Sequence, residues 1–334
     1  MTEVVLTRTR EQLLSTLYEA AELEHNLMCT YLYAAFSLKD AADGLQSEEA
    51  AAVARWRRTI IDVAVDEMGH LAAVWNITSS LGGAPRLGRS NFPIDPGYLA
   101  AGVVVKLAPF DEDVLQHLIH LERPEGANEP DGKGFERERE FRRTAPTPRL
   151  TPMGIDYETV GEFYHVMERA LRIMSEQLGE AVLFCGDPAF QLSSNEVALT
   201  GAQPVRCLRT ALEACQAIIA QGEGARRDQP DSHFQRFIGI RSEYRALQQR
   251  NPSFKAAHPA ARNPVLRRPP RPEGRVWIED EAASAIVGAL EGHVGDLCFL
   301  EPGGGGMHGG DDLRTGFWKA HQEPHYLRAL AGNL

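Results

Sequence analysis

The chain contains no apolar run near the roughly 20 residues that a helix needs to cross a bilayer, so no membrane partner is expected. It has no excess of positive charge either. The 35 Lys and Arg against 46 Asp and Glu leave a formal charge of −11, which argues against nucleic acid or an anionic membrane surface as the main partner. The first residues, MTEVVLTRTREQ, lack the apolar stretch of a secretory signal. Cysteine is sparse: Cys29, Cys185, Cys207, Cys215 and Cys298 are scattered, with no CxxC pair. An odd count without a signal predicts reduced thiols and a cytoplasmic location. No repeat of fixed period runs through the sequence.

What remains is an ordinary globular composition, 334 residues with 43% hydrophobic, enough for a sizeable core. Residues 9–39 place Leu13, Leu17, Ala20, Leu27, Tyr31 and Ala35 at the spacing of one helical face. Asp43-Gly44 stops this helix. Ser47, Glu48 and Glu49 start a second, with acids at its N-terminus, and Gly82-Gly83-Ala84-Pro85 ends it. Both predicted helices are long against a globular mean of about 11–12 residues. Joined by a short turn, they predict an antiparallel pair.

Residues 85–155 break the pattern. The stretch RSNFPIDPGYLAAGVVVKLAPF reads as extended or loop, DEDVLQHLIHLE as a short helix opened by Asp111, and 123–155 as a charged, Pro/Gly-rich excursion. Further helices are predicted over 157–183, 204–222 and 232–249. After Pro252 the chain turns Pro-rich, with one more helix at 279–300 and a Gly-rich tail. The reading is an all-α protein: a bundle over 1–250 with a crossover at 85–155, then a Pro/Gly-rich extension over 251–334 with one or two helices.

Chemistry enters where polar residues occupy apolar positions. Glu24 lies seven after Leu17 and seven before Tyr31. Glu67 and His70, three apart, share a face with Ile60, Val63, Val74 and Ile77. A buried carboxylate must be neutralised, paired or bound to a cation, because leaving it unpaired costs several kcal/mol. Glu-x-x-His from one bundle helix with Glu from a neighbour is the arrangement of di-iron and di-manganese carboxylate sites. Asp62 and Asp66 are rivals, since Asp66 is four before His70 and can pair with it. Glu22 and His25 read as solvated neighbours of Glu24.

The second half offers Glu162, three before His165, Glu223 in phase with Leu212, Cys215 and Ile219, and His233 in phase with Phe237, Ile240 and Tyr244. Glu223 and His233 are ten apart, so a loop would have to bulge out between them. A buried core histidine satisfied by hydrogen bonds explains each of these as well. Asp231 and Ser232 fit a helix N-cap. Tyr31, Tyr33, Phe163 and Tyr164 are candidates to line a cavity, with Tyr31 and Tyr164 as redox-active phenols, or simply to pack between helices.

The motifs ELEHNLMCTYLYAAFS, VAVDEMGHLAAVWNITSSLGGAPRL, HLERPE, TVGEFYHVME, QGEGARRDQPDSHFQRF and NPVLRRP follow one another over roughly residues 10–275. In these the chain resembles the ferritin-like family related to the iminophenyl-pyruvate dimer synthase of violacein-type bisindole biosynthesis. The resemblance implies a ferritin-like four-helix core with elaborations and a metal site built from both helix pairs. Carried over by residue, it implies Glu24, Glu67, His70, Glu162, Glu223 and His233 as metal ligands. Glu122, in HLERPE, is implied as a ligand or an orienter of one, and His165 as an extra ligand. The last 60 residues match nothing in the family, and His293, His308, His321 and His325 lie outside the resemblance.

The expected function is a metal-dependent oxidative enzyme, with two iron ions or manganese, using O2 or peroxide on a small amino-acid-derived or aromatic substrate. The 123–155 excursion is then a candidate lid or, equally, a disordered insertion. The competing reading is a ferritin-like metal-binding or ferroxidase-type protein without an organic substrate. A third is a bundle whose Glu and His merely pair as salt bridges.

Overall fold

The computed structural model describes residues 9–85, 92, 104–136, 157, 159–222 and 229–264. Among these there are seven α-helices and no strand, only isolated bridge residues such as the pair Leu38 and Ala257. None of the helices is long and apolar enough to cross a membrane. The predicted helix at 279–300, the tail histidines and Cys298 lie outside the described residues.

Two long helices carry the fold. Helix α1 (Arg10–Ser37) begins with a capping box: Thr9 accepts from the Gln12 backbone N–H, and Gln12 accepts from that of Thr9. Helix α2 (Ser47–Ser80) ends before Gly82, whose φ of 71° suits glycine. Arg10 Nε donates to the Leu81 carbonyl at 2.9 Å. The start of α1 therefore lies against the end of α2, and the pair is antiparallel, as the short connection predicts. Leu13, Leu17, Leu27, Ile60, Val74 and Ile77 are fully buried between them and their neighbours.

Helix α3 (Glu112–Leu121) is capped by the Asp111 carboxylate and packs on α7 (His233–Arg250), which starts at the Ser232 N-cap. Helix α4 (Val160–Leu178) packs on α6 (Leu208–Gln221) and touches α1. The single helix expected over 157–183 is broken at Gly179, whose φ of 83° ends α4. A one-turn α5 (Glu180–Leu183) follows. Helix α6 starts four residues later than predicted, because Cys207 is its N-cap.

The connections are fastened to the helices. Asn76, buried on α2, donates to the carbonyls of Leu192 and Gln203 and accepts from the Leu192 N–H, holding the loop between α5 and α6 on the bundle. Residues 123–136 fold back along α3. His117 Nδ1 lies 2.7 Å from Asp131 Oδ1, and Arg241 of α7 donates to both Gln116 and Glu129. This part of the suggested lid is a packed strap; residues 137–156 lie outside the described residues. Residues 251–264 return to the first pair, where His258 N–H donates to the Ser37 carbonyl and Lys39 N–H to that of Ala256.

Candidate metal centre

Glu24 sits near the middle of α1 and Glu67 with His70 in the second half of α2. Glu122 is the residue that caps the C-terminus of α3, and His233 is the first residue of α7. Four elements thus each bring an acid or an imidazole to one place. Glu24, Glu67, Glu122 and His233 are 0% exposed and His70 is 2% exposed. The helical period is what puts them there: Glu24 continues the Leu17–Tyr31 stripe, and Glu67 the Ile60–Val74 stripe.

The five side chains form two groups that share Glu67. In one, His70 Nδ1 lies 3.3 Å from Glu24 Oε2 and 3.0 Å from Glu67 Oε2. In the other, His233 Nδ1 lies 3.1 Å from Glu67 Oε1 and 3.5 Å from Glu122 Oε2. In both groups the ligand atoms lie within 4.8 Å of one another. Each imidazole turns its far nitrogen outward to an acceptor: His70 Nε2 to Gln221 Oε1 at 3.1 Å, His233 Nε2 to Asp66 Oδ2 at 3.2 Å. Those acceptors take a proton on Nε2 and leave Nδ1 facing the carboxylates, where its lone pair would be available to a bound cation, the usual support of a metal-ligating histidine.

Two tyrosines complete the cluster. Tyr164 of α4 donates its hydroxyl to Glu24 Oε1, and Tyr31 of α1 donates to Glu122 Oε1. Each terminal carboxylate therefore has one oxygen held by a phenol and the other turned inward. Glu24 Oε2, Glu67 Oε1, Glu122 Oε2 and His233 Nδ1 are buried and have no hydrogen-bond partner. Glu67 Oε1 and His233 Nδ1 are close enough for a hydrogen bond yet are not aligned for one. Buried polar atoms left in this state are costly. Oxygen and imidazole donors converging in each group fit a metal cation.

Without a cation, burial and the neighbouring charges act on these groups directly. Burial, opposed by the close approach of the His70 imidazole and assisted by the Glu67 charge, pushes Glu24 up to about 8. Burial also acts to raise Glu67, but the charge of His70, the close approach of His233 and the His70 hydrogen bond outweigh it and hold that carboxyl well below the usual range. Burial acts to lower both histidines. The charge of Glu67 with the close approach of Glu24 lifts His70 well above its ordinary value, and the charge of Glu122 with the Asp66 hydrogen bond does so for His233. Without cations, the site must recruit protons to balance its own negative charge.

The other sequence candidates fall elsewhere. The structure brings neither Glu162 nor His165 into the cluster. The buried face of α4 runs through Phe163, Tyr164, Met167, Ala170 and Leu171, and neither residue of the second Glu-x-x-His belongs to either metal-capable group among the described residues. The His165 side chain is 46% exposed and faces Glu168 at 3.5 Å, while Glu162 is partly buried in the first turn of α4. Glu223 lies outside the described residues. Its neighbour Gly222 is at the site: a Cβ there would come 3.3 Å from both Glu122 Oε2 and His233 Nδ1. Asp62 is exposed, and Asp66 pairs with His233 and Arg236, not with His70. His25 is partly buried beside Cys29. Tyr33 faces outward to the Ala261 carbonyl, and Phe163 packs on Tyr157 and Tyr164.

Reading the residues alone paired Asp66 with His70 where the structure pairs it with His233, missed Gln221 behind His70, and reached Glu122 only through the family motif. Glu122 did carry a signal. It stands seven after Leu115 and four after Leu118, both fully buried, so it extends the apolar stripe of α3 just as Glu24 extends that of α1.

A sequence model of the family described as Ferritin-like matches residues 17–242, which include all five cluster residues. A curated relative, the 2-imino-3-(indol-3-yl)propanoate dimerase of Chromobacterium violaceum, is 27% identical over 328 residues, covering 87% of this chain and 28% of the relative. The chain therefore spans less than a third of that relative's length. A crystal structure of a ferritin like protein from Caulobacter vibrioides aligns with a TM-score of 0.48 at 21% identity, covering 87% of this chain and 85% of the other. With its helical bundle, its convergent carboxylates and imidazoles, and a family match over most of its length, this chain belongs to the Ferritin-like family.

Proposed function

We propose that this chain is a dinuclear metal enzyme that oxidises a small, amino-acid-derived aromatic substrate, with O2 or peroxide as the oxidant. One observation carries the metal part: two Glu/His groups share Glu67 in a dry interior and leave four buried polar atoms without a hydrogen bond. Glu24, Glu67 and His70 would hold one ion, and Glu67, Glu122 and His233 the other. Three carboxylates and two neutral imidazoles come close to balancing two divalent charges, and an all-oxygen-and-nitrogen donor set suits iron or manganese. Bound ions of this kind would supply the electron transfer to O2 or peroxide.

The protein's own residues hold this chemistry in place. Tyr164 and Tyr31 fix the terminal carboxylates by their hydroxyls, so that each presents one oxygen inward. Gln221 and Asp66 keep the ring protons on the outer nitrogens of His70 and His233. The leucines, valines and aromatic rings around the cluster exclude water, which strengthens every charge interaction inside. Asp66 is partly exposed, so it links the buried imidazole of His233 to solvent through a charged hydrogen bond.

The substrate class comes from the relative, whose name places 2-imino-3-(indol-3-yl)propanoate as the molecule it joins. Joining two such imines with loss of one hydrogen from each removes two electrons and two protons. O2 would take them to give hydrogen peroxide, or peroxide would take them to give water. The test uses the full chain purified after expression with iron. We expect about two metal ions per chain, and with the imine generated from tryptophan a product of twice its mass less two hydrogens. Glu67→Gln should lose both metal and product. Oxidation of Fe(II) with no organic turnover would instead support the ferroxidase reading. A folded chain that retains no metal would leave only a salt-bridged bundle.

A further inference from the structure

The two halves of the cluster match in almost every respect. Each has one terminal carboxylate, one imidazole facing inward through Nδ1, and one tyrosine hydroxyl on the terminal carboxylate. Glu67 is common to both. Among the described residues they differ behind the histidines. His70 Nε2 faces a neutral amide oxygen, Gln221 Oε1. His233 Nε2 faces a carboxylate oxygen, Asp66 Oδ2, which Arg236 Nη1 also approaches at 3.2 Å.

We propose that the two cation positions are unequal, and that the one formed by Glu67, Glu122 and His233 fills first and holds its ion more tightly, because Asp66 backs His233 where Gln221 backs His70. This rests on the reading that the cluster holds two cations. An imidazole whose outer N–H donates to an anion carries more electron density on its inner nitrogen than one donating to an amide, and binds a cation more strongly. Asp66 also adds a whole negative charge on that side. Arg236 offsets part of that charge, but its side chain is 33% exposed and that of Asp66 20%, so water screens their attraction. Asp66 is thereby a positioning residue for one ion, and the first ion enters on the α3–α7 side of the cluster.

The test is a titration of the metal-stripped full chain with manganese(II), with free ion counted by electron paramagnetic resonance. The wild type should bind in two steps. Glu122→Gln should abolish the tight step and leave the weak one, while Glu24→Gln should do the reverse. Asp66→Asn, which keeps the shape, should weaken the tight step about 10- to 100-fold, so that the two steps merge. Gln221→Glu should tighten the weak step. If Glu24→Gln removes the tight step, or if Asp66→Asn leaves both steps unchanged while circular dichroism shows the fold intact, the proposal is overturned. A wild-type chain that takes up no manganese, or a Glu67→Gln variant that still takes up two ions, overturns the metal reading beneath it.

Discussion

A carboxylate at a position where the helix period demands leucine is tolerable only when something positive reaches it. Glu24, Glu67 and Glu122 all stand at such positions, and imidazoles reach them in pairs. Gly222 shows how little room is left between them. A methyl group there would lie 3.3 Å from an oxygen of Glu122 and 3.3 Å from the inner nitrogen of His233, where a shared cation would sit. Gly222→Ala should therefore lower metal affinity about 10-fold or more and leave the helical circular dichroism unchanged, and metal content after dialysis will read the loss. At this scale the sequence was legible where a polar residue interrupts a long stripe, as at Glu24 and Glu67. It was less legible at Glu162 and His165, where the same Glu-x-x-His spacing puts one residue half-buried and the other exposed on α4. Spacing tells which residues share a face, but not which face is buried. Phe163, Tyr164 and Met167 carried that information, and they lie out of phase with the motif. Asp66 and Gln221 were illegible for another reason: their roles depend on contacts made across 167 and 151 residues of chain.

The elements around the cluster are held by close backbone approaches and buried staples, and these set which substitutions the scaffold accepts. The loop between α5 and α6 lies directly on α2 one residue before His70. A Cβ at Gly201 would fall 1.8 Å from the Gly69 carbonyl oxygen, whereas a Cβ at Gly69 would meet the backbone N of Gly201 at an ordinary 3.4 Å. Gly201→Ala must push the loop off the helix and should destabilise by about 1–3 kcal/mol, while Gly69→Ala should be close to neutral; urea unfolding of the two variants makes the contrast. The strap over α3 depends on Asp131. Burial acts to raise its pKa, but the hydrogen bond and charge of His117 outweigh this and hold it below the usual value. A carboxyl lowered in the folded state stabilises above its unfolded pKa of about 3.9, and that contribution disappears as pH falls through the folded value. Asp131→Asn should thus be less stable than the wild type at pH 7, with the gap closing below about pH 4. Thermal midpoints measured across that range check the sign. The period-3.6 signal made α1, α2 and α7 readable to within two residues. The break of the third predicted helix at Gly179 was readable only as a glycine, since its apolar pattern continues through Leu183.

For the molecule as a whole, the cluster places like charges and unpaired lone pairs at the meeting point of α1, α2, α3 and α7. The fold is then coupled to whatever neutralises them. In the metal-free protein the neutralising agent is the proton, as the upward shift of Glu24 to about 8 and the raised histidines indicate. A group raised in the folded state stabilises fully below its unfolded pKa and loses that contribution as pH rises through the folded one. The stripped protein should accordingly become less heat-stable between pH 6 and pH 9. Cations compete for the same lone pairs, so metal binding should release protons and strengthen over that range. An ion present at 100 times its dissociation constant adds about 2.7 kcal/mol of stability. For a domain of this size that raises the midpoint by roughly 5–10 °C per ion. Scanning calorimetry at several pH values, with and without manganese(II), should show the loaded and stripped curves diverging as the solution becomes more alkaline. In Glu67→Gln, which removes the shared ligand, the two curves should coincide. Equal midpoints for loaded and stripped wild-type protein at pH 8 would mean that the cluster is neutralised from within and that the helices converge there without a cation.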